Sequence, residues 1–575
     1  MGERHTLGGG RLDLSFINTN LRQYANWRIH DGMCQSDHFA INIELNIPLL
    51  PPIPPPPPRW NQDQADWDIF KNHIGDWAQN YNTPNDIDTF EADLIQAFHA
   101  AADTAMPLRQ NNRYTYKDSW YYNSEVRELK TRLNRVRKLY RKRSTDENRE
   151  TLREVAKDVT ERLNLIKLEK WYEWCSQLSR LTKIRDLWAF LKRVAGKNST
   201  QKRSTHPNPQ QEADRLAEAF ANRTNSENLP IQTRQKQQQL HDPRWAAINR
   251  ACEQTDDTDT EYTLQEYRAT FKNSRDTAPG ADRITYTMIR YTGQAGEQMT
   301  LKLINKTHTE RVRPRTWNQQ DTQPIPKPNE PNSYRPISLL SCIEKTAERM
   351  VLKRLIYKTG PLHPQLYAYR EGVGTTECIT DVLNCINNGK ATAVFIDFEK
   401  AFELANAAAI LHSLTRKNVK GHLLAWAKNY TTNRSARVKF QGHISEYKNM
   451  QNGTPQGGIL SPFLFNILME NFAILQFPGG VYIFIYADDL LVISRGINKV
   501  AKMQRALKLI DDKAMELGLK INANKTKAMS IRGTNPIQQL TIGQHPIEWV
   551  DTYKYLGVYI DKHLTYNQQV TYLRE

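Results

Sequence analysis

The stretch FIYADDLLVIS, residues 484–494, places two adjacent carboxylates between two apolar runs. Residues 484–486 and 490–493 have the composition of a buried β-hairpin. Asp488 and Asp489 fall at the tip of that hairpin, where like charges repel and partial burial makes each carboxylate harder to ionise. Two interpretations are open on this stretch alone: a solvated turn, in which Asp is common, or ligands for divalent metal.

A third carboxylate follows another apolar run, in TAVFIDFEKAFE, residues 392–403. Residues 393–396 predict a buried strand, and Asp397 stands at its end, where the chain passes into a helix. Active sites of open α/β sheets lie at such strand ends. A single Asp in this position is also a good helix N-cap, so Asp397 by itself does not decide between the two roles.

A glycine-rich turn that leads into a helix lies between these carboxylates, in NGTPQGGILSPFLFNILME, residues 452–470. Its three glycines let the backbone approach a ligand closely, while Pro455 stiffens the turn and Pro462 opens the helix. The order of strand-end Asp, glycine-rich turn and Asp-Asp hairpin predicts three carboxylates that converge on two divalent ions. Two such ions can activate a 3′-hydroxyl and stabilise a leaving pyrophosphate.

The charge balance points to a polyanionic partner. The 575 residues carry 79 Lys and Arg against 62 Asp and Glu, a net charge of +17 and a pI near 9.4, which favours nucleic acid or an acidic membrane. The six cysteines form no C-x-x-C pair, which argues against a zinc site and fits a reducing compartment. With no secretory signal and no apolar run of membrane-spanning length, we expect an intracellular protein that does not enter membranes.

The chain before residue 262 divides by composition. A proline-rich stretch, PLLPPIPPPPPRW at residues 48–60, predicts a semi-rigid linker, with a ligand for SH3 or WW domains as the alternative. Residues 125–143 predict a helix with nine Lys and Arg, interpreted as a nucleic-acid backbone contact rather than a solvated face. The polar, Gln-rich residues 224–260 are predicted to be flexible. Core positions are predicted for three tryptophans, Trp171, Trp174 and Trp188.

Six motifs in order resemble those of reverse transcriptases of the non-LTR (LINE-type) retrotransposon branch, with jockey-like insect elements as the nearest group. They are SYRPISLL (333–340), FIDFEKAF (395–402), TPQGGILSPFLFNILM (454–469), YADD (486–489), LGLKINANKTK (517–527) and YKYLGVYID (553–561). The resemblance covers roughly residues 270–570. It implies an α+β fold in which a right-hand polymerase palm and fingers are built on an antiparallel sheet, preceded by a mainly helical basic extension.

The resemblance also implies roles for single residues. Asp397 and Asp488 would be metal ligands, with Asp489 as a supporting carboxylate, for two Mg²⁺ or Mn²⁺ ions. Lys525 would donate a proton to pyrophosphate. The residues that would bind the nucleotide are Lys327 and Arg335 at its triphosphate, Gln456 and Phe402 at its sugar, and Phe398. The YLGV turn, residues 555–558, would grip the primer end.

Two positions depart from the family pattern. Glu403 stands where the family usually has Asp, and AYREGVGT, residues 368–375, replaces a stretch resembling GFRKGRST. Both departures leave the metal ligands in place. They keep open the alternative of a catalytically decayed, nucleic-acid-binding remnant of such an element.

The N-terminus resembles the last two motifs of the apurinic-type endonuclease that precedes these polymerases, in RLDLSF (11–16) and SDHFAINIEL (36–45). His38 would be its catalytic histidine, oriented by Asp37, with Asp13 positioning the attack. About 48 residues cannot form that two-sheet core, so we expect a remnant without nuclease activity.

We therefore predict four segments. They are an endonuclease/exonuclease/phosphatase-type remnant (1–48), a proline-rich linker (49–60), a basic helical extension (61–261), and reverse transcriptase fingers and palm with an absent or truncated thumb (262–575). The predicted function is RNA-directed DNA synthesis in retrotransposition, in the cytoplasm and nucleus. The predicted partners are an RNA template, a DNA primer or target, deoxynucleoside triphosphates and an element-encoded RNA-binding protein.

Overall fold

A computed structural model describes most of the chain. The described residues are 22, 25–29, 41–45, 58–109, 120–179, 182, 184–195, 206–272, 276–327, 330, 333–387 and 389–574. Two compact units are present. The larger unit comprises Met1–Leu108 and His206–Glu575, and the smaller unit comprises Arg109–Thr205.

Helices occur throughout the described residues. They are α1 (Trp67–Asn80), α2 (Ile87–Ala105), α3 (Ser124–Lys142), α4 (Asp146–Ser176), α5 (Ile184–Val194), α6 (Pro209–Arg223), α7 (Ile231–Glu253), α8 (Leu264–Ala269), α9 (Tyr286–Arg290), α10 (Gly293–Thr309), α11 (Arg315–Asn318), α12 (Cys342–Thr359), α13 (Thr375–Asn387), α14 (Ala401–Leu404), α15 (Ala407–Arg416), α16 (Gly421–Thr431), α17 (Ser461–Ala473), α18 (Lys499–Leu517) and α19 (Asn567–Arg574). None of these described helices is both long and apolar enough to cross a membrane.

Strands are concentrated in the second half of the chain. They are β1 (Ala25–Ile29), β2 (Ile41–Leu45), β3 (Gln319–Pro326), β4 (Tyr334–Leu339), β5 (Ala391–Ile396), β6 (Arg434–Phe440), β7 (His443–Ile444), β8 (Lys448–Met450), β9 (Val481–Tyr486), β10 (Asp489–Arg495), β11 (Lys527–Ile531), β12 (Thr541–Ile542), β13 (His545–Pro546), β14 (Glu548–Trp549), β15 (Thr552–Tyr555) and β16 (Val558–Asp561). This mixture of helices and mostly antiparallel strands confirms the predicted α+β class.

The central sheet has the strand order β14-β11-β5-β10-β9. Its neighbours are antiparallel, as predicted, except that β11 and β14 run parallel. In β5, Val394 and Ile396 join the main hydrophobic core while Ala393 and Phe395 join a second core. Alternate side chains of β5 point to opposite faces of the sheet, and both faces are covered. Every residue of the strand must therefore be compatible with burial, which explains the continuous apolar run.

A second sheet has the order β4-β3-β6-β7, with β8 also paired to β6. Strands β3 and β4 form an antiparallel hairpin in which Pro326 is opposite Tyr334. Helix α6 packs on this sheet through Leu216, Ala217 and Phe220, which cluster with Val438 of β6. Helix α6, which lies about 100 residues before β3 in the sequence, therefore covers part of this second sheet.

The prediction that residues 224–260 are flexible is wrong, because 231–253 form helix α7. The Gln237 side-chain amide donates to the carbonyls of Met515 and Glu516 at 2.7 and 2.8 Å, and Arg244 donates to the Glu516 carbonyl at 2.9 Å. These groups satisfy carbonyls that the end of α18 leaves without helical partners. The Gln-rich composition misled the prediction because it supplies hydrogen bonds to another helix.

The predicted boundary between residues 261 and 262 does not separate the two compact units. Phe70 of α1 and Phe90 and Phe98 of α2 are fully buried in the same core as the central sheet. Residues 58–108 and 206–261 therefore pack with the C-terminal half, while 109–205 form the separate unit. The functional identities given to the four segments stay predictions.

The smaller unit contains α3, α4 and α5. Val126 of α3 and Val159 and Ile166 of α4 are buried, and this small apolar seam holds two otherwise polar helices together. Trp174 stacks on Phe190 with ring centroids 4.0 Å apart. Trp188 is 57% exposed, so its predicted core position is wrong: it lies on the solvent side of an amphipathic helix.

Candidate active site

The paired carboxylates lie at the tip of a tight hairpin. Tyr486 of β9 is opposite Asp489 of β10, which leaves Ala487 and Asp488 as the two turn residues. Ala487 has φ of 55°, a left-handed conformation that costs a residue with a Cβ about 1 kcal/mol. The predicted hairpin is confirmed, and its strained turn fixes the direction in which Asp488 leaves the backbone.

Strand pairing brings the third carboxylate to the same edge. Leu490 is opposite Ile396, so Asp397 follows β5 at the point where Asp489 begins β10. Burial raises the pKa of Asp397 and of Asp488. Desolvation, followed by the charges of Asp488 and Asp397, raises the pKa of Asp489 to about 6. The site therefore concentrates negative charge where water screens it incompletely.

A lysine is held against Asp397 by backbone contacts. The Asn522 amide donates to the Asp397 carbonyl at 2.8 Å, and the Lys525 amide donates to Asn522 Oδ1 at 3.3 Å. The Lys525 charge opposes the rise that burial causes in the pKa of Asp397. The loop that carries Lys525 is thus positioned by a hydrogen bond to the backbone of Asp397, the residue whose carboxylate Lys525 faces.

These groups open into one cleft of about 770 Å³. Every polymerase residue predicted to be catalytic, to hold metal or to bind the nucleotide lines this cleft, except Asp489. The side chains of the other predicted residues are those of Asp397, Asp488, Lys525, Lys327, Arg335, Phe398, Phe402 and Gln456. Sequence order therefore translated into spatial convergence, although the role of each residue stays a prediction.

The glycine-rich turn closes the cleft beside the second sheet. The Ser338 amide of β4 donates to the Gln456 carbonyl at 2.7 Å. Gly457 has φ of 133°, and a Cβ there would lie 2.5 Å from the Ser338 carbonyl oxygen. Only glycine permits this approach of two backbones, whereas the predicted approach of the glycines to a ligand stays a prediction.

Comparison with known proteins identifies a domain within the chain. Residues 325–560 match the family described as Reverse transcriptase (RNA-dependent DNA polymerase). They form a reverse transcriptase domain. The RNA-directed DNA polymerases from mobile element jockey of Drosophila melanogaster and Drosophila funebris are 26% and 27% identical over 320 and 271 residues. These alignments cover 52% and 44% of this chain, and the predicted jockey-like, non-LTR relationship is confirmed.

The chain spans only 35% and 29% of the lengths of those two relatives. A solved structure of apo telomerase from Candida tropicalis, truncated from its C-terminal domain, aligns with 44% of this chain and 55% of that one. Its identity is 14% and its TM-score 0.34, a likeness that carries no argument about this chain.

Two aromatic residues of the reverse transcriptase domain differ in what they present to the cleft. Phe402 is half-buried and stacks on Phe465, with ring centroids 4.0 Å apart. Phe398 is only 4% exposed, joins the main core and lies 5.6 Å from Phe472. Phe402 thus has an exposed edge that a sugar could meet, whereas the side chain of Phe398 is mainly a core group.

A buried network supports the glycine-rich turn, and sequence reasoning missed it. Glu348 of α12 accepts from the Leu460 amide at 2.8 Å and from the Tyr430 hydroxyl at 3.0 Å. Ser461 donates to the Pro455 carbonyl at 2.8 Å. Glu348 is fully buried, and burial raises its pKa. The local sequence around Glu348 gives no signal for this network, because its partners come from distant segments.

The cleft has further residues that sequence reasoning did not single out. Arg223 of α6 and Tyr334 of β4 line it beside Lys327 and Arg335. Tyr369 also lines the cleft, and its φ is 57°. Burial, and after it the charge of Asp488, raises the pKa of the Tyr369 hydroxyl. Tyr334 and Tyr369 lie inside the quoted stretches SYRPISLL and AYREGVGT, although neither residue was given a role, whereas no motif marks Arg223.

The predicted metal ligands Asp397, Asp488 and Asp489 do not form a tight cluster. Among the described residues, no three His, Cys, Asp or Glu side chains are gathered closely enough to hold a metal ion as they stand. The donor set nevertheless fits Mg²⁺ or Mn²⁺, because carboxylate oxygens are hard ligands. The raised pKa values of Asp397, Asp488 and Asp489 show a site in which added positive charge would be stabilising.

The candidate endonuclease residues Asp13, Asp37 and His38 lie outside the described residues. The antiparallel pair β1–β2 is described nearby, with Ala25 opposite Leu45. The endonuclease remnant and its inactivity stay predictions.

Proposed function

We propose that the chain is an RNA-directed DNA polymerase of a non-LTR retrotransposon that copies element RNA into DNA. The observation that carries the proposal is the cleft of the reverse transcriptase domain. Strand β5, the β9–β10 hairpin, the glycine-rich turn and the β3–β4 hairpin bring acidic, basic and aromatic side chains to it. Nucleotidyl transfer requires acidic groups that can hold metal and basic groups that can bind phosphate in one place.

Asp397 and Asp488 would hold two Mg²⁺ or Mn²⁺ ions, with Asp489 in support. Such ions, when bound, activate a hydroxyl nucleophile and neutralise charge on a leaving pyrophosphate. The carboxylates must be ionised for this task, and since burial raises the pKa of each, ion binding should strengthen as the pH rises.

The surrounding side chains would bind and orient the nucleotide. Lys327 and Arg335 suit the triphosphate oxygens, because ammonium and guanidinium groups form charge-assisted hydrogen bonds with phosphate. Lys525, beside Asp397, would hold the proton that pyrophosphate takes as it leaves. Phe402 and Gln456 would lie at the sugar.

The partners proposed are an RNA template, a DNA primer or target and deoxynucleoside triphosphates inside the cell, with an element-encoded RNA-binding protein as a further one. The net charge of +17 favours polyanions. Helix α3 is a second positive surface, interpreted as a phosphate-backbone contact. Among the described residues, Arg132 is the only one of the nine cations of residues 125–143 to pair with a carboxylate, that of Asp158 at 2.6 Å.

Primer extension tests the proposal. The chain should extend a DNA primer on a homopolymeric RNA template in Mg²⁺, and Asp488→Asn should abolish extension while leaving RNA binding intact. The matched control is Asp512→Asn, an exposed carboxylate on α18 outside the cleft, which should extend normally. A wild-type chain that binds RNA and primer but extends nothing would instead support the decayed remnant.

A further inference from the structure

One side chain enters the cleft from outside the reverse transcriptase domain. Among the described residues that line the cleft, Arg223 alone lies outside 325–560. It is the last residue of α6, a helix that belongs to the segment predicted as a basic extension.

Helix α6 is fixed to the sheet that carries the β3–β4 hairpin. Phe220 packs in the cluster with Val438, and Glu218 pairs with Lys448 of β8 at 2.7 Å. At the other end of the helix the Gln210 amide donates to the Ile444 carbonyl at 2.9 Å. Contacts along its whole length therefore set the position of its last residue.

Arg223 is directed to the loop end of the β3–β4 hairpin. Its Nη1 donates to the Tyr334 carbonyl at 3.0 Å, and its guanidinium lies 5.0 Å from the centre of the Phe220 ring. Arg335 follows Tyr334 on β4, and Lys327 follows Pro326, the residue opposite Tyr334. Three cations from two parts of the chain thus meet at one side of the cleft.

The guanidinium has hydrogen-bonding capacity to spare. It carries five N–H donors, of which the contact with Tyr334 uses one. Among the residues that the structure describes, no carboxylate pairs with Arg223, whereas Lys327 pairs with Glu330 at 3.3 Å. A basic residue in the last turn of a helix also stabilises the helix dipole, but any exposed position there would serve that purpose.

We propose that Arg223 binds the triphosphate tail of the incoming nucleotide as a third cation beside Lys327 and Arg335. A planar guanidinium suits paired phosphate oxygens, and its anchoring to Tyr334 reduces the entropy lost on binding. The inference rests on the proposed function. It adds that a helix preceding the reverse transcriptase domain completes the nucleotide site.

The test is single-nucleotide primer extension with Arg223→Ala, Arg223→Lys and a matched control, Arg215→Ala. Arg215 lies on the same helix, pairs with Glu212 at 2.6 Å and does not line the cleft. Arg223→Ala should raise KM for the nucleotide about tenfold, as expected for one lost charge-assisted hydrogen bond, with kcat changed less than about twofold. Arg223→Lys should fall between the Ala variant and wild type, and Arg215→Ala should match wild type.

Inorganic tripolyphosphate separates binding from a structural role. If Arg223 holds the phosphate tail, the inhibition constant of tripolyphosphate should rise in Arg223→Ala by the same factor as KM. The thermal midpoint of Arg223→Ala should stay close to that of Arg215→Ala. An unchanged inhibition constant, or a loss confined to kcat and stability, would overturn the inference.

A direct titration keeps the inference testable if the proposed function fails. Should wild type extend no primer, binding of a fluorescent deoxynucleoside triphosphate to wild type, Arg223→Ala and Arg215→Ala is measured instead. Weaker binding in Arg223→Ala alone supports the inference, and equal binding by all three overturns it.

Discussion

Asp489 has a pKa of about 6 in the folded protein, against an ordinary value of 3.8. A carboxyl with a raised folded pKa keeps its proton in the folded state after the unfolded chain has released it, so stability falls as pH rises from about 4 to 6. Asp489→Asn should therefore raise Tm at pH 7 by roughly 2 °C and flatten its pH dependence in that window. Thermal unfolding between pH 4 and 8 measures both effects. Asp512→Asn is the control, and an undiminished pH slope in Asp489→Asn would contradict the prediction.

Phe402 is expected to control the selection of deoxyribonucleotides over ribonucleotides. Its half-buried ring stacks on Phe465 and lines the cleft, so Phe402→Ala should remove a wall that a ribose 2′-hydroxyl would strike. Incorporation of ribonucleotides relative to deoxyribonucleotides should rise about tenfold or more. Phe477→Ala is the matched control, because that ring is also partly buried but lies outside the cleft. If both variants discriminate as wild type does, Phe402 is only a packing residue.

At the scale of elements, the glycine-rich turn and β4 depend on one close backbone contact. A Cβ on Gly457 would lie 2.5 Å from the Ser338 carbonyl oxygen, on a residue whose φ is 133°. Gly457→Ala should cost about 2–4 kcal/mol of unfolding free energy and remove activity, because turn and strand must separate. Chemical denaturation and primer extension measure the two losses. Gly479→Ala, where a Cβ meets nothing within 4 Å, should alter neither, and a stable, active Gly457→Ala would show that the contact is dispensable.

At the scale of the whole molecule, the polymerase core includes α1 and α2. Phe70, Phe90 and Phe98 are fully buried in it, and burial of each large side chain contributes about 2–3 kcal/mol. Deletion of residues 1–57 should leave folding and primer extension unchanged. Deletion of residues 1–108 should abolish cooperative unfolding, because the core loses one wall. Calorimetry and primer extension compare the two truncations, and a cooperative transition in the shorter protein would contradict this account.

The sequence by itself determined the features that depend on short-range order. The apolar runs of β5, β9 and β10 predicted their strands, because the β-period and burial are local properties. Motif order then placed Asp397, Asp488 and the glycine-rich turn in one site, and all of them line the cleft.

Only the tertiary structure decided which distant segments support that site. Residues 224–260 look flexible by composition, yet the Gln237 side-chain amide of α7 donates to two carbonyls at the end of α18, because a polar side chain can satisfy a carbonyl of a distant segment. Arg223 and Glu348 carry no local signature, since their partners lie on β4 and in the glycine-rich turn. Short-range pattern specifies which elements form, whereas the burial of polar groups against distant partners is fixed only when the elements pack.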